Sequence, residues 1–317
     1  NSPGAVAACR NKFEARQKFA AAGLHVPEFL RVPVDADPEA AAGEASYPCV
    51  LKPLGLSGSR GVVRADSAEE FVAAFRRIAK LLASPDIAGQ REEQNRFIQV
   101  ERFIPGREFA LEGIVDEGSF RVLALFDKPD PLDGPYFEET IYVTPSREDR
   151  SVQRAIEQTA GRAVRALGLR RGPVHAEMRV NVEGVWMLEV AARPIGGLCA
   201  RVLPGLPKLL IRHALFDDPG ELRLDPPSAG VMMIPIPRAG IYEGVRGVED
   251  AKGVAGIQEV IITAKLQQPL IPLPEGSSYL GFIFAEGASP TEVEETLRRA
   301  HALLRIDIGV ALPVLAR

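Results

Sequence analysis

The stretch PVHAEMRVNVEGVWMLEVAARP, residues 173–194, constrains the fold more than any other part of the chain. Apolar and polar residues alternate on both sides of Glu183-Gly184, the pattern of two antiparallel strands with one buried face. Turn length then sets which residues meet, because a one-residue slip sends every side chain to the other face. A two-residue loop at Glu183-Gly184 places Glu177 and Glu189 on opposite faces. A three-residue loop, Val182-Glu183-Gly184, puts glycine at the last, left-handed position that such loops favour. That register pairs Glu177 with Glu189, His175 with Ala191 and Arg179 with Met187. Its reverse face gathers Val174, Ala176, Met178 and Val180 with Trp186, Leu188 and Val190, a continuous core face. Carboxylates directly opposite each other destabilise a sheet unless a cation lies between them or water screens them. Periodicity alone leaves a metal-binding floor and a solvated pair of glutamates evenly balanced.

The pattern changes character at Pro105-Gly106. Before it, spacing predicts a helix over 6–22 stopped by Gly23, a strand in 26–32, a short helix in 35–46 and an apolar strand at 47–53. A helix over 66–83 follows, with Ser67 and Glu70 as a capping box and Phe71, Phe75, Ile78 and Leu82 on one side. A strand in 95–104 closes this region. After the bend, 107–115 and 119–127 flank a turn at 116–118 and predict a hairpin. A turn-rich loop (127–135), a strand (138–145) and a long helix ending at Gly168 precede the opening hairpin. A helix near 207–216, three or four strands and a final helix in 289–306 complete the chain. A small α/β unit to about residue 104 and a larger α+β unit after it are expected, since 317 residues exceed one small core.

Composition removes several classes of function. A net charge of -4 supplies no excess of Lys and Arg for a nucleic-acid or anionic-membrane surface. No apolar run reaches the length of a membrane span. Cys9, Cys49 and Cys199 are scattered and lack metal-ligand spacing, which points to a reducing cytoplasm. His25, His175, His213 and His301 show no zinc-like spacing. The chain starts at Asn1 and runs almost directly into a helix pattern without a signal peptide, so it reads as trimmed at its start.

Two further segments carry chemistry. Lys52 ends an apolar strand and is followed by the small-residue loop 54–61, whose amides can cradle phosphate oxygens while the lysine neutralises them. An ordinary Gly/Ser turn with a snorkelling lysine accounts for the same letters, and the loop lacks the Walker pattern. The strand entering Pro105-Gly106 offers backbone groups to an adenine edge, with Glu101 or Glu108 near a ribose, or serves only as a connector between domains.

Taken together and in order, these segments resemble the ATP-grasp superfamily over nearly the whole chain. NKFEARQKFAAAGLHVP is similar to the family's lysine-bearing helix, with Lys12 in the lysine position. YPCVLKPLGLSGSRGV resembles the strand with a phosphate-binding lysine, Lys52, and its glycine-rich lid, with Ser57, Gly58, Ser59 and Gly61. IQVERFIPGREFALEG resembles the hinge, which implies Glu101, Arg102 and Phe103 at the adenine and Glu108 as the acid after it. The hairpin resembles the family's metal-binding one, which implies Glu177 and Glu189 as magnesium ligands.

Within that superfamily the chain most resembles carboxylate–amine ligases of the L-amino-acid (dipeptide) ligase type. The resemblance implies an α+β ATP-grasp fold, two α/β lobes gripping a nucleotide, with a mainly antiparallel sheet in the larger lobe and the amino-terminal Rossmann-like domain missing. It divides the chain into a helix and connector (1–30), a small lobe (31–104) and a large lobe with a strand-rich extension (105–317). It implies ATP and Mg2+ (or Mn2+) as cofactors, and small-molecule carboxylate and amine substrates. No nucleic-acid or membrane partner is implied, and a homodimer is compatible with it. Lys52 and Arg193 would offset charge on the transferred phosphoryl group, and Glu139, His175, Gly196 and Gly197 would contact substrate. The alternatives are a carboxyphosphate-using ligase of the biotin carboxylase or purine-pathway type, and a non-catalytic nucleotide-binding module. One departure stands out: the family's E-x-N-x-R has Ala191 where the asparagine ligand belongs.

Overall fold

The computed structural model describes residues 1–216 and 227–310. The chain opens with two helices, α1 (Pro3–Arg10) and α2 (Lys12–Ala21), where periodicity alone suggests one. Asn11 causes the break. Its backbone is extended, and its side chain accepts from the amides of Phe13 and Glu14, capping the second helix.

A four-stranded antiparallel sheet follows, in the order β1-β4-β2-β3. Its elements in chain order are β1 (Phe29–Pro33), α3 (Pro38–Glu44), β2 (Cys49–Pro53), β3 (Val63–Ala65), α4 (Ala68–Leu82), α5 (Pro85–Ala88) and β4 (Phe97–Arg102). The Ser67 hydroxyl accepts from the Glu70 amide at 3.2 Å, and the Glu70 carboxylate accepts from the Asp66 amide at 2.7 Å. Phe71, Phe75, Ile78 and Leu82 are buried, as their spacing predicts, and pack with Cys49, Leu51, Ile98 and Val100 of the sheet.

The larger sheet has eight strands in the order β12-β14-β10-β7-β6-β5-β8-β9. Its first elements are β5 (Arg107–Asp116), β6 (Ser119–Lys128), β7 (Ile141–Thr144), α6 (Arg150–Leu167), β8 (Gly172–Asn181), β9 (Gly184–Ala191) and α7 (Leu206–Ala214). Then come β10 (Ser228–Ile234), β11 (Gly240–Arg246), α8 (Val248–Lys252), β12 (Ile257–Ile262), β13 (Pro269–Leu270), β14 (Gly281–Gly287), α9 (Pro290–Leu303) and β15 (Arg305–Gly309). The carboxy-terminal region thus holds more than the three or four strands expected, and β11, β13 and β15 form a separate three-stranded sheet. Gly168, in the left-handed conformation at φ 76°, ends α6 as expected.

One face of β5, β8 and β9 is apolar and packs on α1, α2 and α6, through residues such as Phe19, Phe109, Val164, Ala176, Met178 and Val190. The first two helices therefore share their core with the large sheet. The opposite face carries Glu108, Glu112, His175, Glu177 and Glu189.

The hairpin of β8 and β9 keeps the expected pairs Glu177 with Glu189 and His175 with Ala191, but reaches them differently. The turn has two residues, Val182-Glu183, between the paired Asn181 and Gly184. The Asn181 side chain accepts from the Glu183 amide at 2.9 Å and holds the turn. Near the turn Arg179 pairs with Trp186, not Met187, and a bulge at Leu188 then shifts the register by one. The core side of β9 is consequently Val185, Met187 and Val190, while Trp186 and Leu188 are half-buried and off that face.

Candidate active site

A cleft of about 510 Å³ lies between the small sheet with its glycine loop and the polar face of the large sheet. Lys12, Lys52, Ser57, Gly58, Ser59, Glu101, Phe103, Glu108, Glu139, His175, Glu177, Glu189, Arg193, Gly196 and Gly197 all line it. Arg102 and Gly61 do not join them. Arg102 is exposed at the end of β4, and its amide bonds the Glu28 carbonyl at 2.9 Å. The Gly61 amide is committed to the Pro274 carbonyl at 2.7 Å, which takes it away from a phosphate cradle.

On the small-sheet side, Lys52 Nζ donates to Glu101 Oε2 at 2.5 Å, and Arg16 Nε donates to Glu101 Oε1 at 2.7 Å. Arg16 and Glu101 are 2% and 3% exposed, so this is a buried charge network. Burial by itself would raise the Glu101 carboxyl, but the Arg16 and Lys52 charges outweigh it and hold it at about 2. Burial lowers Lys52, and Glu101 works against that shift. The Glu101 side chain is therefore the counter-ion of Lys52. Arg16 reaches further: its guanidinium donates to the carbonyls of Met187 and Leu188, at the bulge of β9. Lys12 Nζ donates to the Leu56 carbonyl at 2.6 Å and lies 3.6 Å from the Glu189 carboxylate.

On the large sheet, Lys128 is the centre of an acidic group. Its Nζ lies 2.8 Å from Glu108, 2.6 Å from Glu139 and 3.5 Å from Glu177. Burial disfavours the ammonium, yet three carboxylates raise its pKa well above the ordinary lysine value. Glu139 is pushed up, first by burial, with Lys128 opposing and Glu177 adding to the rise. Arg179 Nε donates to Glu108 at 2.9 Å, and its guanidinium lies 5.1 Å from the centre of the Phe103 ring.

His175 sits between two acids, with Nδ1 2.5 Å from Glu112 and Nε2 3.1 Å from Glu177. Burial disfavours its protonation, but the two carboxylates raise it to about 9. Burial would raise Glu177, but Lys128 and His175 pull it well below the carboxylate range. Glu112 is itself oriented by the Ile195 amide at 3.1 Å, which ties this relay to the Arg193–Gly197 loop. Arg193 is exposed at the rim, donating to the Pro194 carbonyl at 2.9 Å.

Arg16, Glu112, Lys128 and Arg179 are the site residues that sequence reading misses. The hairpin of β5 and β6 was the available signal for Lys128. An unbroken register from the Asp116–Ser119 pair sets Asp127 opposite Glu108, but an irregularity at Glu112/Gly113 brings Lys128 there instead.

The donor set suits a hard divalent cation, because it offers carboxylate oxygens and no thiolate. Glu177 and Glu189 oppose each other, and one oxygen each from Glu108, Glu139 and Glu177 lies within 4.8 Å of the others. Among the described residues no helix is long and apolar enough to cross a membrane.

The chain is similar to known proteins in both sequence and fold. Residues 45–202 match the ATP-grasp domain, and residues 232–309 match the L-amino acid ligase C-terminal domain 2. The chain is 25% identical over 307 residues to an uncharacterized protein of Sinorhizobium fredii, covering 94% of this chain and 61% of that one. It is 30% identical over 201 residues to the alanine–anticapsin ligase of Bacillus subtilis, covering 59% of this chain and 42% of that enzyme. The chain thus spans less than two thirds of the length of these curated relatives. The crystal structure of the L-amino acid ligase from Bacillus licheniformis superposes with a TM-score of 0.81 at 28% identity, over 96% of this chain and 74% of that one. With the ATP-grasp domain, the L-amino acid ligase C-terminal domain and this fold in one polypeptide, the chain belongs to the ATP-grasp superfamily.

Proposed function

We propose that the protein is an ATP- and Mg2+-dependent ligase that joins a carboxylate to an amine, both amino-acid-like. The γ-phosphoryl group of ATP passes to the carboxylate and ADP leaves; the amine then attacks the acyl phosphate, a C–N bond forms and phosphate departs. The observation that carries this reading is the convergence of Lys12, Lys52, the Ser57–Ser59 loop and the opposed Glu177 and Glu189 on one cleft.

Each side chain has a part. Lys12 and Lys52 neutralise phosphate oxygens, and the loop amides donate to them. Glu101 favours the charged form of the partly buried Lys52 and fixes its ammonium. Glu177 and Glu189 would hold Mg2+, with Mn2+ as a substitute, and a metal bound there would supply positive charge against the phosphoryl oxygens. Arg193 at the rim faces charge that develops on the acyl phosphate, and Glu139 receives an ammonium group of substrate. Phe103 covers the adenine, and Glu108, clamped by Lys128 and Arg179, stands behind it.

The same reading assigns residues 31–104 to the small lobe and 105–317 to the large lobe, with 1–30 leading in. It places the enzyme in the cytoplasm, with a homodimer as a compatible assembly. Ala191, in place of an asparagine ligand, favours the competing reading of a nucleotide-binding module without turnover. Steady-state ADP release separates them: the ligase requires both a carboxylate and an amine, whereas the module releases none with any pair that is tried.

A further inference from the structure

Glu112, in the middle of β5, stands behind the cleft and has no part in the chemistry above. It is 1% exposed, and its register partner on β8 is His175. Both of its oxygens are engaged: Oε1 lies 2.5 Å from His175 Nδ1, and Oε2 accepts from the Ile195 amide at 3.1 Å. His175 carries the first contact onward, with Nε2 3.1 Å from Glu177 Oε1. A ring held at one nitrogen presents the other in a fixed direction, so Glu112 sets where the imidazole meets Glu177. Lys128 reaches the same carboxylate from 3.5 Å, but it lies closer to Glu108 and Glu139, at 2.8 and 2.6 Å. His175 is thus the nearer of these two neighbours of Glu177.

The other oxygen anchors the segment after β9. The Arg193 side chain is exposed and donates to the adjacent Pro194 carbonyl, a contact that fixes it to no other element. Two residues on, Ile195 is 7% exposed, packs in the apolar cluster under the site face of the large sheet, and gives its amide to Glu112. Since Glu112 is out of water, neither bond has a solvent substitute, and losing either partner leaves a buried polar group unpaired. We infer that Glu112 is a positioning residue: through its two oxygens it fixes Glu177, on the metal side, and the 193–197 loop, on the acyl-phosphate side, relative to each other. The inference rests on the ligase reading for the roles of Glu177 and Arg193, but it can be tested without turnover.

Two measurements on the full-length protein read the two ends. Mn2+ binding, followed by the paramagnetic resonance of the free ion with a non-hydrolysable ATP analogue present, reads Glu177. Hydrogen exchange of the peptide spanning 192–199 reads the Ile195 amide. Glu112→Ala should weaken Mn2+ binding by about tenfold or more and speed exchange in that peptide. Glu112→Gln keeps an acceptor for the amide and a donor for Nδ1, so exchange should stay slow and Mn2+ affinity within about threefold of wild type. His175→Asn can still meet Glu112 but is too short to reach Glu177, so it should weaken Mn2+ binding about tenfold and leave exchange slow. The last two variants keep a polar group beside Glu112 or His175, so the test does not depend on the alanine variant folding. Mn2+ affinity within about twofold of wild type in His175→Asn, or a Glu112→Gln protein with fast exchange or about tenfold weaker Mn2+ binding, overturns the positioning role. A wild type that takes up no Mn2+ overturns both the role and the metal assignment. The predicted pattern of binding and exchange, with no ATP turnover in any substrate mixture, would overturn the ligase reading and leave the positioning role standing.

Discussion

Glu177 stands directly opposite Glu189 across the β8–β9 hairpin, and the bulge at Leu188 puts it there. The guanidinium of Arg16 binds the Met187 and Leu188 carbonyls at that bulge and, with another nitrogen, the Glu101 carboxylate that holds Lys52. One buried arginine from the first helical pair thus links the strand that carries Glu189 to the carboxylate that holds Lys52.

Glu189→Gln should keep the fold and lose Mg2+-dependent turnover by about 100-fold or more, because the side chain is partly exposed on the polar face and carries no core packing. Thermal melting and ADP release measured on the same sample check it. Wild-type turnover in the variant would remove Glu189 from the metal set.

Glu101→Gln should destabilise the protein by about 3–5 kcal/mol, since it leaves the buried Arg16 and the partly buried Lys52 beside an uncharged partner. Urea unfolding gives the number. A loss below about 1 kcal/mol would mean that water reaches the network and that Glu101 is not its keystone.

The same carboxylate sets an acid limit. Its folded pKa of about 2 lies below the ordinary 4.5, so its contribution is complete above about pH 4.5 and is lost as pH falls toward 2. The difference corresponds to about 3 kcal/mol. Unfolding free energy of the wild type should fall through this window more steeply than that of Glu101→Gln. Parallel slopes for the two proteins would contradict the assignment.

Arg77→Ala tests how the glycine loop is held. Arg77 in α4 pairs with Glu275 at 2.5 and 2.8 Å and with the Tyr136 hydroxyl at 2.6 Å, while Arg60 bonds the Glu275 carbonyl at 2.8 Å. The ion pair is exposed, so its loss should cost at most about 1 kcal/mol. The KM for ATP should nevertheless rise, because the strap joining the loop to the carboxy-terminal segment is loosened. An unchanged KM would mean that the Gly61–Pro274 and Arg60–Glu275 backbone bonds suffice.

Much of this was legible in the residues, and the parts that were not have a common physical origin. The Ser67 cap, the Gly168 stop and the hairpin of β5 and β6 follow from local rules, and local rules were enough. The Glu177–Glu189 pairing was also reached, but by a three-residue turn where the chain uses Val182-Glu183 and a bulge. Alternation cannot register an extra residue whose carbonyl is bound by Arg16 from far away in the chain. The second irregularity, at Glu112/Gly113, hid Lys128 in the same way. The pairing of the Glu101 carboxylate with Arg16 and Lys52 was not legible either, because its partners come from other elements. Asn11 splits the first helix by capping its second half, a competition that helical periodicity does not register.

The central claim is that this cleft makes a C–N bond at the expense of ATP. The most direct measurement is mass spectrometry of the full-length protein incubated with ATP, Mg2+ and paired amino acids, alongside a count of ADP released. The account predicts a condensation product in equal amount to ADP, absent when either amino acid or Mg2+ is omitted. ADP formation that depends on bicarbonate and yields no amide, or tight ATP binding with no ADP from any pair, would contradict it.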